Sequence, residues 1–372
     1  MKFLYISTGD KYPPDKHLID GLRENNHEVF ELIKKTRNTE KYSEFLQRFR
    51  QDTREYDAIF IGYALPLLVP ILRLFSRKKI IFNAVSSQYE ANIISRGIAR
   101  PYSFKACKSW IIDIISFLTS SFVLLESNAQ IDFVQKLFFI PRKKLIRSWM
   151  GIDEEVFFFD SAIKKNSEFT VLFRGRFLPE SGILTVMETA KLLENKGVHF
   201  LIIGHGFLYK EVGALKEKLS LKNTTFISHT LSAKEIREYM LSSHLSLGQL
   251  AIHPRLSRTL PCKLFESLAL KLPYLTGRNA GAMELLKENE TCFAVHPGDA
   301  DDLAKKILFL KSHPEILQKI AQNGYTLYKE KLTSKILAKD LMEKLFEKPD
   351  LIFDVTDQNR TKYSESNKYK KF

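Results

Sequence analysis

Short apolar runs separated by amphipathic stretches recur along the whole chain. In the first half KFLYIS (2–7), HEVFEL (27–32), YDAIFIG (56–62), KKIIFNAV (78–85), SFVLLES (121–127) and KLIRSW (144–149) read as strands. In the second half the same reading falls on FTVLFRG (169–175), HFLIIGHG (199–206), TTFIS (224–228), HLSLG (244–248), PYLTG (273–277) and CFAV (292–295). Helical periodicity fills the gaps. Ile183, Val186, Met187, Ala190 and Leu193 share one face of a helix expected over 183–195, with Gly197 as its C-terminal stop. Ser232 and Glu235 have capping-box spacing, and Asp299 is placed to cap a helix that turns Leu303, Ile307 and Leu310 inward. In LPCKLFESLALKLPYL (260–275), Leu264, Phe265, Leu268, Ala269 and Leu272 predict a helix begun at Pro261 and ended before Pro273.

Strand and helix in steady alternation predict an α/β protein with parallel sheets covered on both faces. The alternation runs in two series with a break near residues 153–169, and 372 residues exceed what one core normally supports, so two doubly wound domains are expected. The expected boundaries are 1–160, 161–330, a helical segment 331–347 crossing back to the first domain, and a polar tail 348–372. Ligands of such sheets bind beyond the carboxyl ends of the strands.

Composition narrows the classes. A hydrophobic content of 44% excludes wholesale disorder. Cys107, Cys262 and Cys292 are far apart, which fits neither a disulfide framework nor a metal knuckle and suits a reducing cytosol. The opening MKFLYIS is expected to be a first strand, not a secretory leader. The longest apolar stretch, WIIDIISFLTSSFVLL (110–125), contains Asp113 and falls short of the ~20 residues of a membrane span. It is expected to be a helix followed by a strand.

The net charge of +14 is unevenly spread: from Ala58 to Met150 there are 13 basic and 4 acidic residues. Bases there interleave with aromatics, as in RGIARPYSFKACKSW (96–110). Such a surface suits phosphates, whether of a nucleotide, a nucleic acid or an anionic lipid, or it is simply a solvated face.

Four loops of the second half carry candidate chemistry: Arg176 after 169–175, the Gly204-His205-Gly206 turn, His229 and Thr230 after 224–228, and the segment QLAIHPRLSRTLPCK (249–263). The last holds His253, Arg255, Arg258 and Lys263 without an acid and runs into a helix N-terminus, which favours an anion. Lys263 and Glu266, three apart, project together from the first turn of that helix, either as a surface ion pair or as two sides of a ligand site.

The order Gly175-Arg176, Gly182, LIIGHG (201–206), PCKLFESLALKLPYLTGRNAGAMELL (261–286) and AVHPGDADDLAKKI (294–307) resembles the C-terminal domain of family 4 glycosyltransferases, over roughly Thr170 to Leu310. The resemblance implies a GT-B fold, two facing Rossmann-like domains with a nucleotide-sugar in the cleft. It implies retaining transfer of a sugar from a nucleotide diphosphate donor to a hydroxyl of a glycan, lipid-linked or small-molecule acceptor, in cell-surface polysaccharide or glycolipid synthesis, with no metal or other cofactor. By the same resemblance Glu266 hydrogen-bonds the ribose, Arg176 neutralises the diphosphate, Gly281 lies in a turn presenting backbone N–H groups, and the His229 loop lines the nucleobase. Gly206 belongs to the glycine turn beside the donor.

Two positions depart from the family pattern. Arg258 stands eight residues before Glu266, where many members have a second glutamate, and Ser181 replaces the lysine that accompanies the diphosphate arginine. Lys263, Arg258 or Arg255 can supply the missing charge. The expected catalytic set is therefore Arg176, Lys263 and Arg258, with Glu266, Gly281, His229, Gly206 and Arg255 binding substrate. Lys263 and Glu266 are expected to face the cleft with no core to lose. The basic first domain is expected to hold the acceptor and to touch an anionic membrane weakly from the cytoplasmic side. A nucleotide-sugar-binding homologue without activity is the alternative. A nucleic-acid-binding protein is a further one, although no recognition module is present.

Overall fold

A computed structural model describes residues 1–8, 13–33 and 41–347; the expected tail 348–372 lies outside the described residues. The first sheet is built from β1 (Lys2–Ser7), β2 (Glu28–Ile33), β3 (Ala58–Ile61), β4 (Lys79–Val85), β5 (Phe122–Leu125) and β6 (Leu145–Arg147), in the order β2-β1-β3-β4-β5-β6. The second contains β7 (Phe169–Arg174), β8 (Val198–Ile203), β9 (Thr224–Ile227), β10 (Leu245–Leu247), β11 (Tyr274–Gly277) and β12 (Phe293–Val295), in the order β12-β11-β10-β7-β8-β9. Every pairing within both sheets is parallel. All twelve expected strands are present, because strands buried on both faces read as continuous apolar runs.

Helices cover both faces. Those of the first half are α1 (Pro13–Glu24), α2 (Lys41–Gln51), α3 (Leu68–Phe75), α4 (Phe104–Thr119) and α5 (Asn128–Phe138). The second half has α6 (Ile183–Leu192), α7 (Tyr209–Leu219), α8 (Ala233–Ser242), α9 (Cys262–Ala269), α10 (Ala280–Met283), α11 (Ala300–Ser312), α12 (Pro314–Lys331) and α13 (Ser334–Met342). The end signals act where the sequence puts them. Ser232 and Glu235 form a reciprocal capping box on α8, and Asp299 accepts from the Asp302 N–H on α11. The segment 110–125 is the body of α4 followed by β5, and among the described residues no helix is long and apolar enough to cross a membrane.

Each sheet has an apolar cluster on either face. The last helix does not stay with the second sheet. Ala338, Leu341, Met342 and Leu345 join the cluster of Leu18 and Leu22, so α13 packs on α1. Loops at the carboxyl ends of the two sheets meet, as the hydrogen bonds from Ser95 to Glu180 and from Ser127 to the Arg258 carbonyl show.

Candidate active site

Arg174 ends β7, and Gly175 and Arg176 turn out of the sheet. The next strand ends in Gly204 at φ +153°, where a Cβ would lie 1.9 Å from the Gly175 carbonyl oxygen. Only glycine lets these two loops touch backbone to backbone, and the Phe177 N–H donates to the His205 carbonyl at 3.0 Å. Gly206 is half-buried in the same turn. Arg176 is left exposed, near enough to Tyr63 in the turn after β3 for its charge to bear on that phenol. His229, just beyond β9, is also exposed.

The α9 N-terminus differs from the expectation. Lys263 and Glu266 are buried, with 8% and 3% of their surface exposed, and neither pairs with the other. The Lys263 Nζ donates to the Gly248 carbonyl at 2.7 Å and lies 4.3 Å from the Phe173 ring centre. Burial, with Arg174 adding repulsion, pushes its ammonium down to about 7. Glu266 instead forms an ion pair with Arg174, whose guanidinium burial pushes down to about 10. Every residue of α9 from Lys263 to Ala269 is buried, and the Ser267 hydroxyl donates to Ser246 of β10 at 2.9 Å, which holds the helix against that strand. The sequence reading passed over Arg174 as a strand residue. Its terminal position in β7 was the available signal.

Gly281 opens the turn after β11. A Cβ there would come within 2.7 Å of the Thr259 nitrogen and 2.8 Å of Arg258 backbone atoms. This close approach seats α10 on the 258–259 segment and so fixes the basic loop.

That loop is where the two sheets join. The Arg255 Nη1 donates to Glu180 at 2.5 Å, and Glu180 also accepts from the Ser95 hydroxyl of the first domain at 2.8 Å. Burial opposes the Glu180 charge, yet Arg255 and Ser95 hold its carboxyl below the usual range. The Arg258 Nε donates to Glu90 at 2.6 Å, its guanidinium lies 3.9 Å from the Phe133 ring centre, and the other Glu90 oxygen accepts from the Gln130 amide at 2.6 Å. Arg255 and Arg258, expected as cations available to phosphate, are therefore each engaged by a fully buried carboxylate. Burial also raises the Glu126 carboxyl to about 7, with Arg255 opposing the rise and Glu90 adding to it.

Further links cross at main-chain atoms. The Glu284 carboxylate accepts from the Asn128 and Ala129 N–H groups at 2.7 and 3.2 Å, at the start of α5. The Ser127 hydroxyl donates to the Arg258 carbonyl at 2.5 Å, and the Leu260 N–H donates to Glu126 at 3.2 Å. Glu90, Glu126, Glu180 and Glu284 were absent from the expected set. Two of them, Glu90 and Glu126, belong to the four acids of the basic 58–150 window, and their scarcity there was the signal.

Residues 153–327 match the family described as glycosyl transferases group 1. A capsular polysaccharide biosynthesis glycosyltransferase, CapM of Staphylococcus aureus, is 22% identical over 179 residues, 47% of this chain and 45% of the relative. An alpha-D-kanosaminyltransferase of Streptomyces kanamyceticus is 27% identical over 165 residues, 42% of this chain and 40% of the relative. The matched region thus spans less than half the length of these curated relatives.

Among solved structures, Anabaena HepE in complex with UDP-glucose superposes with a TM-score of 0.70 at 15% identity, covering 93% of this chain and 99% of that one. The sucrose-phosphate synthase of Thermosynechococcus elongatus gives 0.72 at 14% identity, covering 92% and 98%. At these identities the likeness is one of fold, and the fold of this chain is GT-B.

Proposed function

We propose that the chain transfers a sugar from a nucleotide diphosphate donor to an acceptor hydroxyl, with retention at the anomeric carbon. The observation that carries this reading is the set of cations at the carboxyl edge of a group 1 glycosyl transferase domain: exposed Arg176, and Lys263 poised near neutrality beside the α9 N-terminus. In the reaction the bond from the anomeric carbon to the diphosphate oxygen breaks and a bond to the acceptor oxygen forms. The departing phosphate oxygen takes the acceptor's proton. Arg176 and Lys263 stabilise the charge that collects on the diphosphate, so no metal is required. Glu266 addresses the ribose from its pair with Arg174, and the loops at Gly206 and His229 flank the base. Gly281 offers backbone N–H groups to the sugar or phosphate, and Arg255 stands at the cleft's edge.

The acceptor is a glycan or a lipid-linked hydroxyl compound, and the first domain rests against the cytoplasmic face of an anionic membrane. The names of the relatives support a role in polysaccharide synthesis. Thermal stabilisation by a panel of nucleotide sugars, followed by turnover of the best binder, tests the reading. Stabilisation by no nucleotide diphosphate sugar would sink it. A second reading, donor binding without transfer, is favoured by Arg258, which stands at the family's glutamate position and is engaged by Glu90. Stabilisation by a donor that is neither hydrolysed nor transferred would support that alternative.

A further inference from the structure

Helix α4 is apolar on two sides. Its inward side packs Trp110, Ile114 and Phe117 on the core and buries Ala106, Ser109, Asp113 and Ser116. Its outward face carries Phe104, Ile111, Ile115 and Leu118, with exposures from 42% to 85%. At 3.6 residues per turn, positions 104, 108, 111, 115 and 118 form one stripe along the helix. An ordinary surface helix keeps its outward face polar.

The polar inner face is anchored. Asp113, raised to about 7 by burial, accepts from the Gln88 and Tyr89 N–H groups at 3.0 and 2.8 Å. The Ser116 hydroxyl donates to the Pro66 carbonyl at 2.8 Å, and the Arg73 Nε of α3 donates to the Thr119 carbonyl at 3.0 Å. These bonds hold the apolar stripe outward. Leu74 of α3 and Phe139 just beyond α5 are exposed on the same domain, and Trp110 ties α4 to the end of α5 through the Leu137 carbonyl.

Charge selects the occupant. Lys105 and Lys108 are exposed on α4, and the helix's one acid, Asp113, is buried. An apolar stripe crossed by Lys108 and bordered by Lys105, on a helix lying parallel to the surface, matches the headgroup boundary of an anionic bilayer, with the long lysine stems reaching up to the headgroups. A protein partner of this chemistry would need an acidic rim around an apolar groove, whereas a lipid surface supplies both features without shape complementarity.

We propose that the outward face of α4 is the surface by which this protein lies on an anionic lipid bilayer, with Phe104, Ile111, Ile115 and Leu118 in the acyl boundary and Lys105 and Lys108 at the headgroups. The inference rests on the membrane apposition proposed above and gives it a surface. It also has a geometric consequence. Asp113 holds the residues that lead into the Glu90–Ser95 turn, and Glu90 and Ser95 bond Arg258 and Glu180 in the cleft. The seated helix therefore sets the cleft mouth at a fixed height above the lipid.

The test is co-sedimentation of the full chain with sucrose-loaded vesicles of phosphatidylglycerol in phosphatidylcholine, against phosphatidylcholine alone. The wild type binds the anionic vesicles, more weakly as salt rises. Ile111→Glu with Ile115→Glu lowers partitioning at least ~10-fold, and Lys105→Ala with Lys108→Ala removes the preference for the anionic lipid. A tryptophan introduced by Phe104→Trp shifts its emission to the blue on anionic vesicles. These positions are exposed, so stabilisation by a nucleotide sugar persists in every variant. If the wild type binds and the double glutamate variant binds equally, the surface is wrong and the membrane reading stands. No wild-type binding at low salt overturns both. A lipid-free oligomer that the same substitutions dissolve overturns the proposal and makes a second copy the occupant.

Discussion

Replacing Lys263 by methionine isolates the ammonium that titrates near neutrality. In the free protein burial beside Phe173 and Arg174 lowers its pKa from 10.5 to about 7. A diphosphate placed against it favours the protonated form, so donor binding near pH 8 should take up roughly 0.9 of a proton, because about nine-tenths of Lys263 is then neutral before binding. Affinity is full below pH 7 and falls as pH rises through 7. The limit is about 1.36 kcal/mol, or tenfold, per unit, until the bound-state pKa is reached. Between pH 7 and 9 this amounts to at most about 2.7 kcal/mol. Calorimetry of nucleoside diphosphate binding at pH 8, in two buffers of different ionisation enthalpy, reads the uptake directly. Lys263→Met should abolish it and flatten the pH profile.

Stability provides an independent check on the same group. The folded pKa lies below the unfolded one, so the cost of burying the charge is fully present below pH 7 and fades between 7 and 10.5. The methionine variant should then be a few kcal/mol more stable at pH 7, roughly 5 kcal/mol of burial cost less about 1 for the lost bond to Gly248. Its advantage should shrink as pH rises. A variant with unchanged proton uptake and unchanged stability would refute the assignment of this titration to Lys263.

Three further outcomes can be measured. Arg176→Ala should weaken nucleoside diphosphate binding by at least ~1.5 kcal/mol and leave the bare nucleoside unaffected; equal losses would make Arg176 structural. Glu266→Gln strips the charge from the partner of buried Arg174, so denaturant unfolding should show a loss of about 3–5 kcal/mol. Its remaining affinity should distinguish ribo- from deoxyribonucleotide less than the wild type does, and wild-type stability would exclude the buried pair. A double-mutant cycle of Arg258→Ala and Glu90→Gln should return a coupling of about 1–3 kcal/mol in unfolding, whereas additive effects would mean that the pair does not join the domains.

The architecture was legible because its signals are local. The β7 and β8 strands carry three and four consecutive apolar residues, and the caps at Ser232 and Asp299 need only their neighbours three positions on. The site was legible in its residue types but not in its pairings. Arg255, Arg258 and Lys263 look alike in sequence, yet their environments diverge: two meet buried glutamates from distant segments, and the third meets a carbonyl and a ring. Nothing at positions 90 or 180 marks them as partners of 258 and 255, since that relation arises only when the sheets meet. Helix α4, apolar on two sides, shows a third kind of limit. Its periodicity displays two stripes, and only tertiary contact decides which faces in.

The contacts between the domains carry a consequence for divergence. Glu284 reads the start of α5 through the amide nitrogens of Asn128 and Ala129, and Ser127 reads the Arg258 carbonyl. Side chains at 128 and 129 can change without breaking the Glu284 link, provided the helix still starts there. A first domain joined in this way can acquire new surface chemistry while keeping its register with the second. Recombination of first halves onto one second half should therefore tolerate distant sequences, with Glu284 and the helix start as the parts to preserve.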